Sequence, residues 1–226
     1  SGKLLQACGV IFAGRLFLNR VLATKRRAAR ATYKTIYLDE AFRDDVQWWL
    51  EALDLRNGVS FLVQKSTMVI TLDASTTGWS DGSPGIGAYN FDKNEYISVS
   101  PPPQLHNLHI SDLELLAHVL VARVWGPELE SIHVKVYTDN KCCWYLAKNG
   151  RSAHDQRLRM ARIFALSQVE HNYRVEPAWI STGDNWLADA YSRPADEKSK
   201  ERIRIFSQNI GGNPIQRHIK PEMFNF

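Results

Sequence analysis

Four carboxylates stand where this sequence has little reason to place a lone charge. "VITLDAS" reads as a strand until Asp73, and Glu114 follows Ser111 by three positions in "SDLELLA". Asp139 closes the alternating run "SIHVKVYTDN", and Asp189 falls in "NWLADAYSR". A carboxylate on a strand flanked by apolar residues needs a partner, because burying it unpaired is costly enough to force its protonation. If the strands that carry Asp73 and Asp139 are neighbours, their ends meet. A helix packed across them adds Glu114, and the last helix adds Asp189. Like charges in such contact do not all stay ionised unless cations neutralise them. Two Mg²⁺ ions, or Mn²⁺ in their place, would do so and would form a clamp for in-line phosphoryl displacement.

Each residue has a plainer reading beside this one. Ser111 and Glu114 together spell a helix capping box. Asp139 fits a strand-end Asx turn, Asp189 fits an exposed helical acid, and Asp81 in "SDGSPG" fits turn chemistry. The case for a site rests on the four acids occurring in this order at element boundaries.

The elements that would position them are legible as periodicities. Residues 67–73, 85–91 and 95–99 alternate as short strands separated by Gly, Asp and Pro, which predicts an antiparallel meander. "HISDLELLAHVLVARVWG" predicts a helix burying Leu113, Leu116, Ala117, Leu120, Val121 and Val124, stopped by Gly126 and Pro127. The strand to Asp139 follows, then helices over 140–149 and 153–170, the strand "YRVEPAWIS", a short helix over 184–192 and another over 197–208. Upstream, residues 4–33 have helix-compatible spacing. "LDEAFRDDVQWWLEAL" predicts a helix with Phe42, Val46, Trp49 and Leu50 on its buried stripe, broken afterwards by Asn57 and Gly58.

Composition narrows the class. The 226 residues are 44% hydrophobic and 11% aromatic, enough for a substantial core. Three cysteines, Cys8, Cys142 and Cys143, make neither a disulfide framework nor a zinc knuckle. They point to a reducing, intracellular compartment, cytoplasm or nucleus. No apolar run approaches the roughly 20 residues that span a bilayer. The net charge is +4, and residues 1–35 carry eight Lys or Arg with no Asp or Glu. That asymmetry fits contact with nucleic acid, although a solvated helix face or an organelle-targeting segment has the same composition. The chain begins with Ser, as an excised fragment would.

"TLDAS…GW", "DLELLA", "YTDN" and "DNWLADAYSR" resemble the Asp, Glu, Asp, Asp signature of ribonuclease H domains, in the form carried by retroelement reverse transcriptases. The likeness covers roughly residues 67–193 and includes the order of elements. "GRLFLNR" and "LDEAFRDDVQWWLEALDLRNGVSFL" resemble the thumb and connecting region of DIRS-type elements and, more distantly, of Ty3/gypsy elements. The resemblance implies an α/β fold: a five-stranded mixed sheet, three antiparallel plus two parallel strands, flanked by helices. It divides the chain into a basic helical segment over 1–58, a ribonuclease H-like domain over 59–193 and a partly helical tail over 194–226. It implies endonucleolytic hydrolysis of the RNA strand of RNA/DNA hybrids by Asp73, Glu114, Asp139 and Asp189 holding two Mg²⁺ ions. The polymerase part of a reverse transcriptase is the implied partner.

The same resemblance assigns contacts to the RNA strand to Ser75, Thr76, Thr77, Gly78 and Asn140, while Arg193 follows the last carboxylate closely enough to reach a phosphate and equally suits the dipole at a helix C-terminus. Arg15, Arg26 and Arg27 belong to the basic N-terminal path. "KNGR" and "RLRMAR" (Lys148, Arg151, Arg157, Arg159, Arg162) offer a track for the DNA strand, with some of them necessarily on another face. Trp48, Trp49, Trp79 and Trp144 offer either stacking on nucleotides or packing. Two departures stand out. The chain holds no polymerase palm, and "ISTGDNWLAD" lacks the loop histidine of cellular ribonucleases H, with His154 and His171 reading as solvated helix residues. Integrases, transposases and DEDD exonucleases use related carboxylates. A catalytically inactive or domesticated module that binds nucleic acid or a protein is the non-enzymatic alternative.

Overall fold

The computed structural model describes residues 2–31, 35–55 and 65–226. The expected break at Asn57 and Gly58, the boundary at 58/59 and Lys34 lie outside the described residues. At the centre is a mixed sheet of β1 (Met68–Ser75), β2 (Gly85–Asn90), β3 (Glu95–Val99), β4 (His133–Thr138), β5 (Arg174–Trp179) and the two-residue β6 (Ile215–Gln216). Their order is β5-β4-β1-β2-β3-β6. β1, β2 and β3 form the antiparallel meander, while β4 joins β1 and β5 joins β4 in parallel. This is the expected five-stranded arrangement with one addition. Ile215 and Gln216 of the tail pair in parallel with Glu95 and Tyr96, so the sheet has six strands.

The two faces of β1 carry different partners, because side chains alternate along a strand. Met68, Ile70, Leu72 and Ala74 enter the main core with helix α4 (Ile110–Trp125), whose Leu113, Leu116, Ala117, Leu120, Val121 and Val124 are all buried. Almost all of α4 is buried, since it packs on the sheet and is covered in turn by α6 (Asp155–Glu170). On the other face, Tyr89 of β2 packs with Leu187 and Tyr191 of α7 (Trp186–Ser192) in a second, smaller core. Helix α5 (Lys141–Asn149) is delimited as its sequence suggests. The Asn140 side chain accepts from the backbone of Cys142 and Cys143 at its start, and Gly150 closes it at φ 62°.

The helix-compatible spacing upstream yields two helices among the described residues: α1 (Gly2–Ala7) and α2 (Gly14–Arg30), separated by a turn in which Ala13 has φ 64°. Helix α3 (Glu40–Leu55) begins where Asp39 Oδ1 accepts from Phe42 N at 2.8 Å. Its buried face is Asp45, Trp49 and Ala52, while Val46 and Leu50 are 38% and 57% exposed. The apolar stripe misplaced the face because Asp45 is drawn inward by two arginines, Arg20 and Arg162. Trp48 stacks on Phe17 with ring centroids 3.9 Å apart, so that tryptophan packs within the protein.

The tail is docked. After α8 (Glu197–Asn209), Arg217 pairs with Glu95 and Glu128. Arg123 donates to the carbonyls of Met223 and Asn225 at 2.7 Å each, and Phe224 is buried. Among the described residues, no helix is long and apolar enough to cross a membrane.

Candidate active site

The acidic cluster forms where β1, β4 and α4 meet. β1 runs on through Asp73 to Ser75, so Asp73 lies within the strand, opposite Gly87, rather than at its end. Asp139 follows the last residue of β4 directly. Glu114 sits in the second turn of α4 and does not cap it. The helix starts two residues earlier than the capping box requires, and the cap is His109, whose Nδ1 accepts from Ser111 N at 3.1 Å. Glu114 is thereby free for the cluster. One carboxylate oxygen each from Asp73, Glu114 and Asp139 lie within 4.8 Å of one another.

The electrostatics of this group are unfavourable as they stand. Asp73 is 3% exposed and Glu114 is 4% exposed. Burial pushes Asp73 up to about 7, with Asp139 and Asp189 adding to the rise and a hydrogen bond from Ser192 opposing it. Burial, then the charges of Asp73 and Asp139, raise Glu114 well above the usual carboxylate range, against a backbone hydrogen bond from Ala74. Glu114 Oε2 is buried without a hydrogen-bond partner. An orphaned oxygen beside two further carboxylates fits a divalent cation, which would both coordinate that oxygen and restore the ionised forms.

Asp189 stands apart from these three. It pairs with Arg193 one turn later, and Arg202 Nη1 of α8 lies 3.9 Å from its Oδ2. Its charge still reaches Asp73, so it borders the cluster without sharing the 4.8 Å group.

The expected nucleic-acid contacts fall into two sets. Thr76 and Thr77 are exposed just beyond β1. Arg26 and Arg27 are exposed on α2, with Arg27 donating to Thr24 Oγ1, and Arg15 is half-buried against Gly150. Ser75 and Gly78 are buried, Ser75 Oγ donating to Ser192 O at 2.9 Å. Asn140 Oδ1 is occupied in capping α5. In the proposed DNA track, Arg157 pairs with Asp112 and Arg162 with Asp45, so both belong to the fold's own ion pairs. Asp81 makes the expected turn, accepting from Ser83 N at 3.0 Å.

Two residues of the last motif gain roles that sequence spacing did not assign. Asn185 is 1% exposed and its Nδ2 donates to Leu72 O at 2.9 Å, fixing the start of α7 to β1. Ser192 is fully buried and donates to Asp73 Oδ2 at 2.7 Å. Both lie within "DNWLADAYSR", where Asn185 follows Asp184 and Ser192 stands three residues after Asp189, the only signal the sequence offered.

No family model matches the sequence, and no curated protein matches it. Among solved structures, the chain is similar to RNase H1 from the halophilic archaeon Halobacterium salinarum NRC-1, at TM-score 0.43 and 12% identity over 57% of this chain and 96% of that one. It is similar to LC11-RNase H1 in complex with an RNA/DNA hybrid, at TM-score 0.44 and 16% identity over 59% of this chain and 99% of that one. It is also similar to the foamy viral protease-reverse transcriptase in complex with an RNA/DNA hybrid, at TM-score 0.41 and 12% identity over 76% of this chain and 28% of that one.

Proposed function

We propose that this protein hydrolyses the RNA strand of RNA/DNA hybrids as an endonuclease, and that it works as the ribonuclease H portion of a retroelement reverse transcriptase. The observation that carries the reading is the meeting of Asp73, Glu114 and Asp139 within 4.8 Å, with Glu114 Oε2 orphaned. Asp73, Glu114 and Asp139 would hold divalent cations, Mg²⁺ in this reading, with Asp189 joining once released from Arg193. Such ions activate water and steady the leaving oxygen of a phosphodiester.

The chain's own residues supply placement. β1 carries Asp73 and the adjacent parallel strand β4 leads directly into Asp139, and His109 frees Glu114 by taking the cap. Thr76 and Thr77 are exposed and follow Asp73 closely in sequence; in this reading their backbone offers donors to a sugar-phosphate backbone and its 2′-hydroxyls. The basic face of α2, with Arg26 and Arg27, extends the path for phosphates in this reading. A polymerase domain is the proposed partner.

A second reading, a hybrid-binding module without turnover, is favoured by the pairing of Asp189 with Arg193 and by the lack of a histidine in "ISTGDNWLAD". Incubating the protein with matched RNA/DNA, RNA/RNA and DNA/DNA duplexes, with and without Mg²⁺, separates the two. The nuclease reading expects cleavage of the RNA/DNA duplex alone and only with Mg²⁺. Retention of hybrid without cleavage in either Mg²⁺ or Mn²⁺ establishes the second.

A further inference from the structure

We infer that Ser192 is a positioning residue for Asp73, holding one carboxylate oxygen so that the other faces the acidic cluster in a single orientation. The inference rests on the nuclease reading above and adds to it a residue outside the four acids.

Ser192 Oγ lies 2.7 Å from Asp73 Oδ2 and 2.9 Å from Asp189 O, and a hydroxyl has one proton to give. The Asp73 oxygen, at the shorter distance, takes it. The contact spans 119 positions of sequence and is sealed from water, Ser192 being 0% exposed.

The surroundings are built to bring this residue against the strands. Gly78, Gly85 and Gly87 all face the C-terminal turn of α7, and a Cβ on any of them would collide with its backbone. At Gly78 and Gly85 the collision is with Ser192 O; at Gly87 it is with Ala188 O and Ser192 N. Gly87 is the direct partner of Asp73 across the β1–β2 ladder, so the missing side chain lies beside the carboxylate in question. Ser75 Oγ donates to Ser192 O at 2.9 Å, and Ser98 Oγ donates to Tyr191 O at 2.7 Å. Two serines on two strands thus anchor consecutive carbonyls of α7. The helix end can neither rise nor slide, and the Ser192 hydroxyl is delivered to Asp73 by backbone packing rather than by a flexible side chain.

Groups that orient a metal-binding carboxylate typically change metal affinity or activity by about 10- to 100-fold when removed. The test compares the full chain with Ser192→Ala and Ser192→Cys. The cysteine keeps the shape of the side chain with a slightly larger atom and replaces a strong donor by a weak one. Mn²⁺ binding is measured by calorimetry without nucleic acid, and kcat and KM are measured on an RNA/DNA hybrid. Both variants are expected to bind Mn²⁺ about tenfold or more weakly and to lose about tenfold or more in kcat, with KM for hybrid unchanged. Should the alanine variant fail to fold, the cysteine variant carries the comparison. Parent-level Mn²⁺ affinity and kcat in Ser192→Cys overturn the inference and leave the nuclease reading standing. A parent chain that binds no Mn²⁺ and cuts no hybrid overturns both.

Discussion

Arg162 on α6 donates through Nη2 to Asp45 Oδ2 on α3 at 2.9 Å, joining residues 117 positions apart. The same nitrogen donates to Leu16 O on α2, and the guanidinium lies 4.4 Å from the centre of the Phe17 ring. Arg20 of α2 approaches the other Asp45 oxygen at 3.2 Å. Ile11, Leu16, Leu18 and Trp49 belong to one core with Ile70 and Leu116. The described N-terminal helices therefore share their core with the sheet.

Removing the acid at this point leaves two arginines packed without a counter-charge. Asp45 is 1% exposed, and breaking a buried pair from one side costs about 3 kcal/mol. Asp45→Ala is expected to lower unfolding free energy by that amount in urea, with the slope of the transition unchanged. A loss below about 0.5 kcal/mol, the level of an ordinary surface substitution, would make the network incidental.

The raised carboxylates give the metal-free protein a pH dependence of definite sign. Asp73 holds its proton up to about 7 when folded but only to its ordinary value of 3.8 when unfolded. Between those values the folded state binds more protons, so stability falls as pH rises through the window. Glu114 shifts in the same direction. Thermal unfolding in EDTA is expected to show a lower midpoint at pH 8 than at pH 5, and Mn²⁺ is expected to recover the difference at pH 8. An unchanged or higher midpoint at pH 8 contradicts the burial of these acids.

Asp73→Asn removes one repelling charge with almost no change of shape. In EDTA at pH 8 its midpoint is expected to equal or exceed the parent's. Cleavage of hybrid should fall at least about a hundredfold, the scale of losing a group that stabilises charge directly, while binding through the basic surface persists. Cleavage at the parent rate in matched Mg²⁺ removes Asp73 from the machinery and the nuclease reading with it.

The two readings of Glu114 separate by mutation. His109→Ala should cost about 1 kcal/mol, the usual loss of a helix cap. Glu114→Gln should cost no stability in EDTA and should weaken Mn²⁺ binding, as calorimetry can measure. If Glu114→Gln destabilises α4 as much as His109→Ala does, the acid is serving the helix.

Gly87→Ala places a methyl group against Ala188 O and Ser192 N. Overpacking of this kind costs about 1 to 3 kcal/mol, and here it also pushes the Ser192 hydroxyl away from Asp73. Denaturation should show the stability loss, and calorimetry should show weaker Mn²⁺ binding at temperatures where the variant remains folded.

The sequence by itself determined five of the six strands of the sheet. Alternation along 67–73, 85–91 and 95–99, helical periodicity over 110–125 and the punctuation at Gly126, Pro127 and Gly150 are local properties of the chain, and each yields an element near its expected bounds. The order of the four acids is equally local. Tertiary structure alone decided what each acid does, because roles depend on neighbours distant in sequence. Ser111 and Glu114 spell a capping box, yet His109 takes the cap once α4 is packed, and Glu114 turns to Asp73 and Asp139. Asp189 carries the most distinctive motif, yet Arg193 and Arg202 hold it beside the cluster. Val46 and Leu50 share the apolar stripe of α3, yet Asp45 occupies the buried face because Arg20 and Arg162 reach it from two other helices. A periodicity records which faces are apolar; the partner that meets a face, and the charge that meets a carboxylate, are set only when separate elements of the chain close on one another.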